Sequence, residues 1–191
     1  MKILLILFVL FFSSSVFADD ISDFQIEGMS VGDSLLSYYD EEIIINSKID
    51  YFVNERQYYV VGIYDNLKIY DAVEIYLKTN DKSYEIKTIT GKLIINNKKQ
   101  CLDMKDDLTA DIANLFENKK QHDEIKNHDY DNSGKSKQHL SQFNIDGFLT
   151  HVRVECSFFS KKIKKDLNYD DSLNVVAMDE EISEWILDGY R

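Results

Sequence analysis

The stretch Thr150-His151-Val152-Arg153-Val154-Glu155-Cys156-Ser157-Phe158-Phe159 alternates two kinds of side chain. Val152, Val154, Cys156 and Phe158 fall on one face of an extended chain, and His151, Arg153, Glu155 and Ser157 on the other, which predicts a strand. The apolar face carries one of only two cysteines. The other, Cys101, lies in the clearest helical pattern, roughly Lys98 to Asn118. There Cys101, Met104, Leu108, Ile112 and Leu115 recur at spacings of three and four, with Lys105, Asp106, Asp107 and Asp111 turned outward. Helix stripe and strand face point into one interface, so a Cys101–Cys156 disulfide is expected, the default for two cysteines in an exported protein. Closing that loop adds ~4 kcal/mol in the chain-entropy model.

Three further runs read as strands. Tyr58 to Tyr64 is apolar at nearly every position, as in a central strand, while Asp71 to Lys78 alternates with one wet face. Tyr84 to Ile95 also alternates, but its phase slips near Ile89 to Gly91, where a bulge is expected. Asp65-Asn66 and Asn80-Asp81 are turn residues, which makes these strands an antiparallel meander. Leu173 to Ala177 is a last strand. Asp179-Glu180-Glu181 then opens a short helix bearing Ile182, Trp185 and Ile186, its acids facing the positive end of the helix dipole. Near the start, Ser30 or Asp33 can cap a helix carrying Leu35, Leu36 and Tyr39. Residues 119–147 are polar, hold three of the four His and read as a long surface loop. The expected fold is a single α+β domain over residues 19–191. It is a mainly antiparallel sheet of about five strands on one long helix, with short N- and C-terminal helices.

Residues 1–18, MKILLILFVLFFSSSVFA, have the layout of a signal peptide: Lys2, an unbroken apolar run, then Val16 and Ala18 at the positions a signal peptidase reads. The run is shorter than the ~20 residues that span a bilayer, and no later segment approaches that length. Removing these 18 of 191 residues takes Lys2 with them and leaves 21 basic against 34 acidic residues, a net charge of −13. Such a charge repels nucleic acid and anionic lipid surfaces. The Lys161-Lys162-Ile163-Lys164-Lys165 cluster is a local exception, expected as a solvated loop between strands. Abundant Lys, Asn, Ile, Tyr and Asp, with only three Arg and no Pro, are what an AT-rich genome writes. The expected location is therefore the bacterial periplasm or the medium.

Two stretches invite a reaction or a metal. Gly32-Asp33-Ser34-Leu35 matches the motif of the secreted GDSL serine esterases, which would make Ser34 a nucleophile. A serine hydroxyl needs a positioned base and a hole for the developing charge. No Gly-x-Asn-Asp occurs, and none of His122, His128, His139 or His151 has Asp three residues before it. Asp129, Asp131, Ser133 and Gly134 match positions 1, 3, 5 and 6 of an EF-hand, but Leu140 stands where the bidentate Glu must be. His122, His128 and Asp123 have no recognised zinc spacing and read as solvated loop residues. The carboxylate clusters Asp40-Glu41-Glu42, Asp106-Asp107 and Asp179-Glu180-Glu181 read as helix ends or wet faces, and the tyrosines between Tyr38 and Tyr84 as core and cross-strand pairs. No catalytic, cofactor-binding or metal residue is assigned.

The pattern Phe24-x-Ile26-Glu27-Gly28-Met29-Ser30-x-Gly32-Asp33-Ser34-Leu35-Leu36, with Gly91, Cys101 opening a helix, Cys156 in a strand and a Trp-bearing last helix, resembles small exported proteins of marine alphaproteobacteria. The resemblance covers most of the mature chain. It implies the two-cysteine α+β fold and carries no particular activity over to this chain. Gly28-Met29-Ser30 is also similar to the opening of small BamE-like outer-membrane assembly lipoproteins, but the chain lacks their lipidated Cys. The expected function is a non-enzymatic binding or envelope-accessory module with a protein or small-ligand partner, no cofactor and no nucleic acid. The alternative is a GDSL-type hydrolase using Ser34.

Overall fold

The computed structural model describes residues 20–49, 57–116, 119–129, 131–147 and 149–188. The expected signal peptide, 1–18, lies outside them. A short helix α1 (Glu41–Asn46) precedes four strands, β1 (Lys48–Ile49), β2 (Tyr58–Ile63), β3 (Ala72–Lys78) and β4 (Ile86–Ile94). Helix α2 (Lys98–Leu115) then carries the chain to the far edge. From there β5 (Lys120–Asn127), β6 (Lys137–Asp146) and β7 (Thr150–Phe158) step inward; after helix α3 (Lys161–Leu167), β8 (Ser172–Met178) closes against β4, and α4 (Glu180–Leu187) ends the fold. The order β1-β2-β3-β4-β8-β7-β6-β5 is antiparallel at every junction. The fold is α+β as expected, but its sheet has eight strands rather than five.

The polar stretch expected as a loop over 119–147 supplies β5 and β6. In β6, Ser141, Phe143 and Ile145 turn inward and are buried. In β5, the single apolar residue, Ile125, is 66% exposed. Backbone pairing with β6, not burial, holds β5 in place, so apolar periodicity gives no sign of it. The Lys161–Lys165 cluster is likewise α3 and not a loop. The Ser160 hydroxyl accepts the Ile163 N–H, Ile163 is buried, and Lys162 pairs with Asp166 one turn on.

One sheet face packs on α2 and on the N-terminal segment. Val61, Val73, Ile75, Ile89, Val154, Leu173 and Val175 meet Cys101 and Ile112 of the helix and Phe116 just past its end, together with Ile26, Met29 and Leu35. Cys101 and Cys156 are bonded across this interface, 6.1 Å between Cα atoms. The opposite face is covered locally by α4, where Trp185 lies 4.9 Å from the Tyr58 ring and Ile182 meets Val176 and Met178. Gly91 does not mark a bulge. It pairs regularly with Val73 and Val175. A Cβ there would sit 2.6 Å from the Tyr70 ring, so glycine admits the tyrosine against the sheet. The bulge is at Lys87: Tyr76 pairs with Thr88 and Leu77 with Ile86, leaving Lys87 as the extra residue.

Residues 26–35 form a strap and not the start of a helix. Ile26 and Met29 exchange both main-chain hydrogen bonds around Glu27 and Gly28, each at positive φ, the geometry of a tight type I′ turn. The Glu27 carboxylate then accepts three successive N–H groups, from Lys68 (2.9 Å), Ile69 (2.7 Å) and Tyr70 (3.1 Å). Gly32 N–H donates to the Ile86 carbonyl, Ile86 N–H to that of Asp33, and Leu35 N–H to that of Tyr84. These bonds lay the strap along the start of β4. A single short 3-10 turn, Leu35–Ser37, follows, with Leu35 buried and Leu36 exposed. Asp33 caps no helix; its carboxylate accepts from Ser30 N–H and the Tyr38 hydroxyl. Hydrogen bonds to a charged acceptor are worth about 1.5–3 kcal/mol. Glu27→Ala is therefore expected to cost about 2 kcal/mol in urea unfolding and Glu27→Gln about half that, whereas Ser34→Ala costs under about 1 kcal/mol.

Candidate functional site

The bulge at Lys87 organises the most polar corner of the molecule. An extra residue re-aims the side chain, here toward the start of α4. The Lys87 ammonium lies 2.7 Å from Glu85, 3.5 Å from Asp179 and 3.4 Å from Glu181. Burial alone pulls this ammonium down; the hydrogen bond it donates to Glu85 and the charge of Asp179 outweigh it and hold Lys87 above the usual lysine value. Burial pushes the Asp179 carboxyl up, an effect partly offset by the Ile182 N–H it accepts and by Lys87. Glu181 also pairs with Lys78, which keeps it below the usual carboxylate value.

Beside this network is an open depression of about 550 Å³. Its walls come from the ends of several elements: Asp20 and Ile21 of the N-terminal segment, Lys87 of β4, and Lys119 ahead of β5. Ile145 and Asp146 close β6, Thr150 opens β7, and Asp179, Glu180 and Glu181 begin α4. Five carboxylates therefore face two ammonium groups, and Lys87 is already engaged by three acids. The depression is net negative and suits a cationic ligand, or one with several hydrogen-bond donors. The acids of 179–181 are legible in the sequence as a helix start. Lys87 is not, because only the strand pairing reveals the bulge.

The other sequence-level candidates have structural partners. The Ser34 hydroxyl donates to the Ser83 carbonyl at 2.5 Å, a contact that supplies no base. Asp131 of the EF-hand-like stretch is buried in the β5–β6 turn. Its carboxylate accepts the N–H and hydroxyl of both Ser133 and Ser136, which holds it well below the usual carboxylate value. His128, expected as a solvated loop residue, is buried with its ring 4.7 Å from Phe159, and burial lowers its pKa; His122 is exposed. Among the described residues no group of three His, Cys, Asp or Glu is placed to hold a metal ion. Glu41 accepts the Tyr84 hydroxyl at 2.6 Å, and Asp106 pairs with Lys105.

Two polar arrangements, one part-buried and one buried, escape the sequence. Lys105, expected outward on α2, folds inward and donates to the Ser141 hydroxyl at 2.8 Å, which donates to Asp123 at 2.5 Å. A Ser–Lys nucleophile pair needs a neutral amine that accepts the hydroxyl proton. Here the lysine donates and the serine relays it to a carboxylate, so the trio fastens α2 to β5 and β6. On the other face, Glu155 accepts from Gln138 and Asn174 and pairs with Arg153 at 3.0 Å, a ladder across β6, β7 and β8. Next to it His151 is buried, its Nδ1 2.8 Å from the Leu149 carbonyl and its Nε2 without a partner. Burial first, and the charge of Arg153 second, lower its pKa to about 4.

Among the described residues no helix is long and apolar enough to cross a membrane. Comparison with known proteins finds no matching family model, no matching curated protein and no matching solved structure.

Proposed function

We propose that the protein is an exported, non-enzymatic binding module of bacterial origin, and that the acidic depression beside Lys87 is its ligand-contacting surface. The observation that carries this reading is the pairing pattern there. Lys87 is locked to Glu85, Asp179 and Glu181, while Asp146 and Glu180 line the same depression with no hydrogen bond or ion pair among the contacts described. Acidic side chains in an open concavity attract cations and polar hydrogen-bond donors. The exported location rests on the leader-like first 18 residues and agrees with the Cys101–Cys156 bond.

Calorimetric titration with spermidine and with a Lys-Lys dipeptide, against a Glu-Glu dipeptide as control, tests the assignment. The cationic probes are expected to bind and the acidic one not to bind. The double variant Asp146→Asn/Glu180→Gln is expected to weaken binding about tenfold or more, with the melting temperature unchanged. Absence of cation binding into the millimolar range, or binding indifferent to the double variant, overturns the reading.

A further inference from the structure

We propose that β5 is a homodimerisation edge, pairing antiparallel with β5 of a second copy about a two-fold axis through Ile125. Among the described residues β5 is the outermost strand of the sheet, eight residues long, whereas the opposite edge, β1, has two. Seven of its eight residues are exposed, and among the described residues no further strand pairs with its outer row of N–H and C=O groups. Native edges of this length are blunted by charge or are used. The charge pattern of β5 distinguishes the two.

Strands that extend one sheet across a two-fold axis place residues of the same face opposite each other, because side chains alternate with period two. Only registers centred on a residue are then allowed. Centring on Asp123 or Glu124 sets a carboxylate against its own copy, and like charges directly opposite are unfavourable. Centring on His122 sets imidazole against imidazole. Centring on Ile125 sets Glu124 opposite Lys126 twice, Asp123 opposite Asn127 twice, and isoleucine against isoleucine on the axis. That isoleucine is 66% exposed, the second most exposed large apolar residue described after Leu187. Its side chain lies on the α2 side of the sheet, two residues along the same face from Asp123. Self-pairing in this register buries an otherwise wet isoleucine and completes two cross-strand ion pairs, so the partner it fits is the chain itself.

Sedimentation of the purified exported protein between about 1 and 100 µM reads the outcome, since micromolar dissociation constants are within reach of such an edge. The wild type is expected to reach a dimer. Ile125→Lys, which sets two ammonium groups on the axis, is expected to be monomeric throughout with an unchanged circular dichroism spectrum. Glu124→Lys is expected to weaken the dimer about tenfold or more, and Glu124→Lys/Lys126→Glu to restore it, because the swap reverses each pair without losing it. A wild type monomeric at the top of this range, a dimer indifferent to Ile125→Lys, or a charge swap that fails to restore pairing overturns the proposal.

Discussion

Replacing Cys101 and Cys156 together by alanine is expected to lower the stability of the domain by about 4 kcal/mol and its melting temperature by roughly 10 °C. The bond closes 55 residues of chain, which comprise most of α2, the β5–β6 hairpin and most of β7. In the unfolded chain that closure removes conformational freedom. In the folded chain it holds the helix on β7 at a point where both cysteines are fully buried. Urea unfolding of the double variant, and of the wild type in reductant, measures the effect. Thiol titration of the denatured, unreduced protein finds no free cysteine if the bond is present. Two reactive thiols, or a loss below about 1 kcal/mol, contradict the staple.

The second large effect is a loss of stability in mild acid caused by His151. Its folded pKa, about 4, lies below the ordinary 6.5, so the unfolded state takes the proton first. Above pH 6.5 both states are neutral and the group contributes no pH dependence. Between 6.5 and 4 the unfolded state is progressively favoured, and below 4 the native state protonates too and the loss levels off. The shift corresponds to about 3 kcal/mol across that window. The charged and titratable groups around it include Arg153 on its own strand and Glu155 beyond, the first opposing a proton and the second favouring it. Urea unfolding of His151→Leu at pH 7.5 and pH 4.5 is expected to show a smaller drop than wild type by about 2–3 kcal/mol. Equal drops contradict the assignment.

What the sequence reveals of this molecule follows burial. The α2 stripe, β3, β7, β8 and the Asp179-capped α4 are legible because an apolar face has a period and a helix start has a cap. β5 leaves no such trace, because Ile125 is wet and its partner is the backbone of β6. The strap is misread for the opposite reason. Ser30, Asp33, Leu35 and Leu36 imitate a capped helix, while the main-chain bonds to Tyr84 and Ile86 that hold them extended are invisible in sequence. The acidic depression is half legible: 179–181 announce themselves, and the Lys87 bulge that orders them depends on a strand register no local pattern encodes. Lys105 looks outward by helical period, and only the fold places Ser141 and Asp123 within reach of its ammonium.

Gly32-Asp33-Ser34-Leu35 fastens a strap to β4, and a serine held in that way is expected to be unreactive. Treating the purified protein with a fluorophosphonate probe and mapping any modified residue tests this. No adduct is expected at Ser34, and a Ser34→Ala variant is expected to be indistinguishable from wild type in probe reactivity. A stoichiometric adduct on Ser34 that disappears in Ser34→Ala would contradict this expectation.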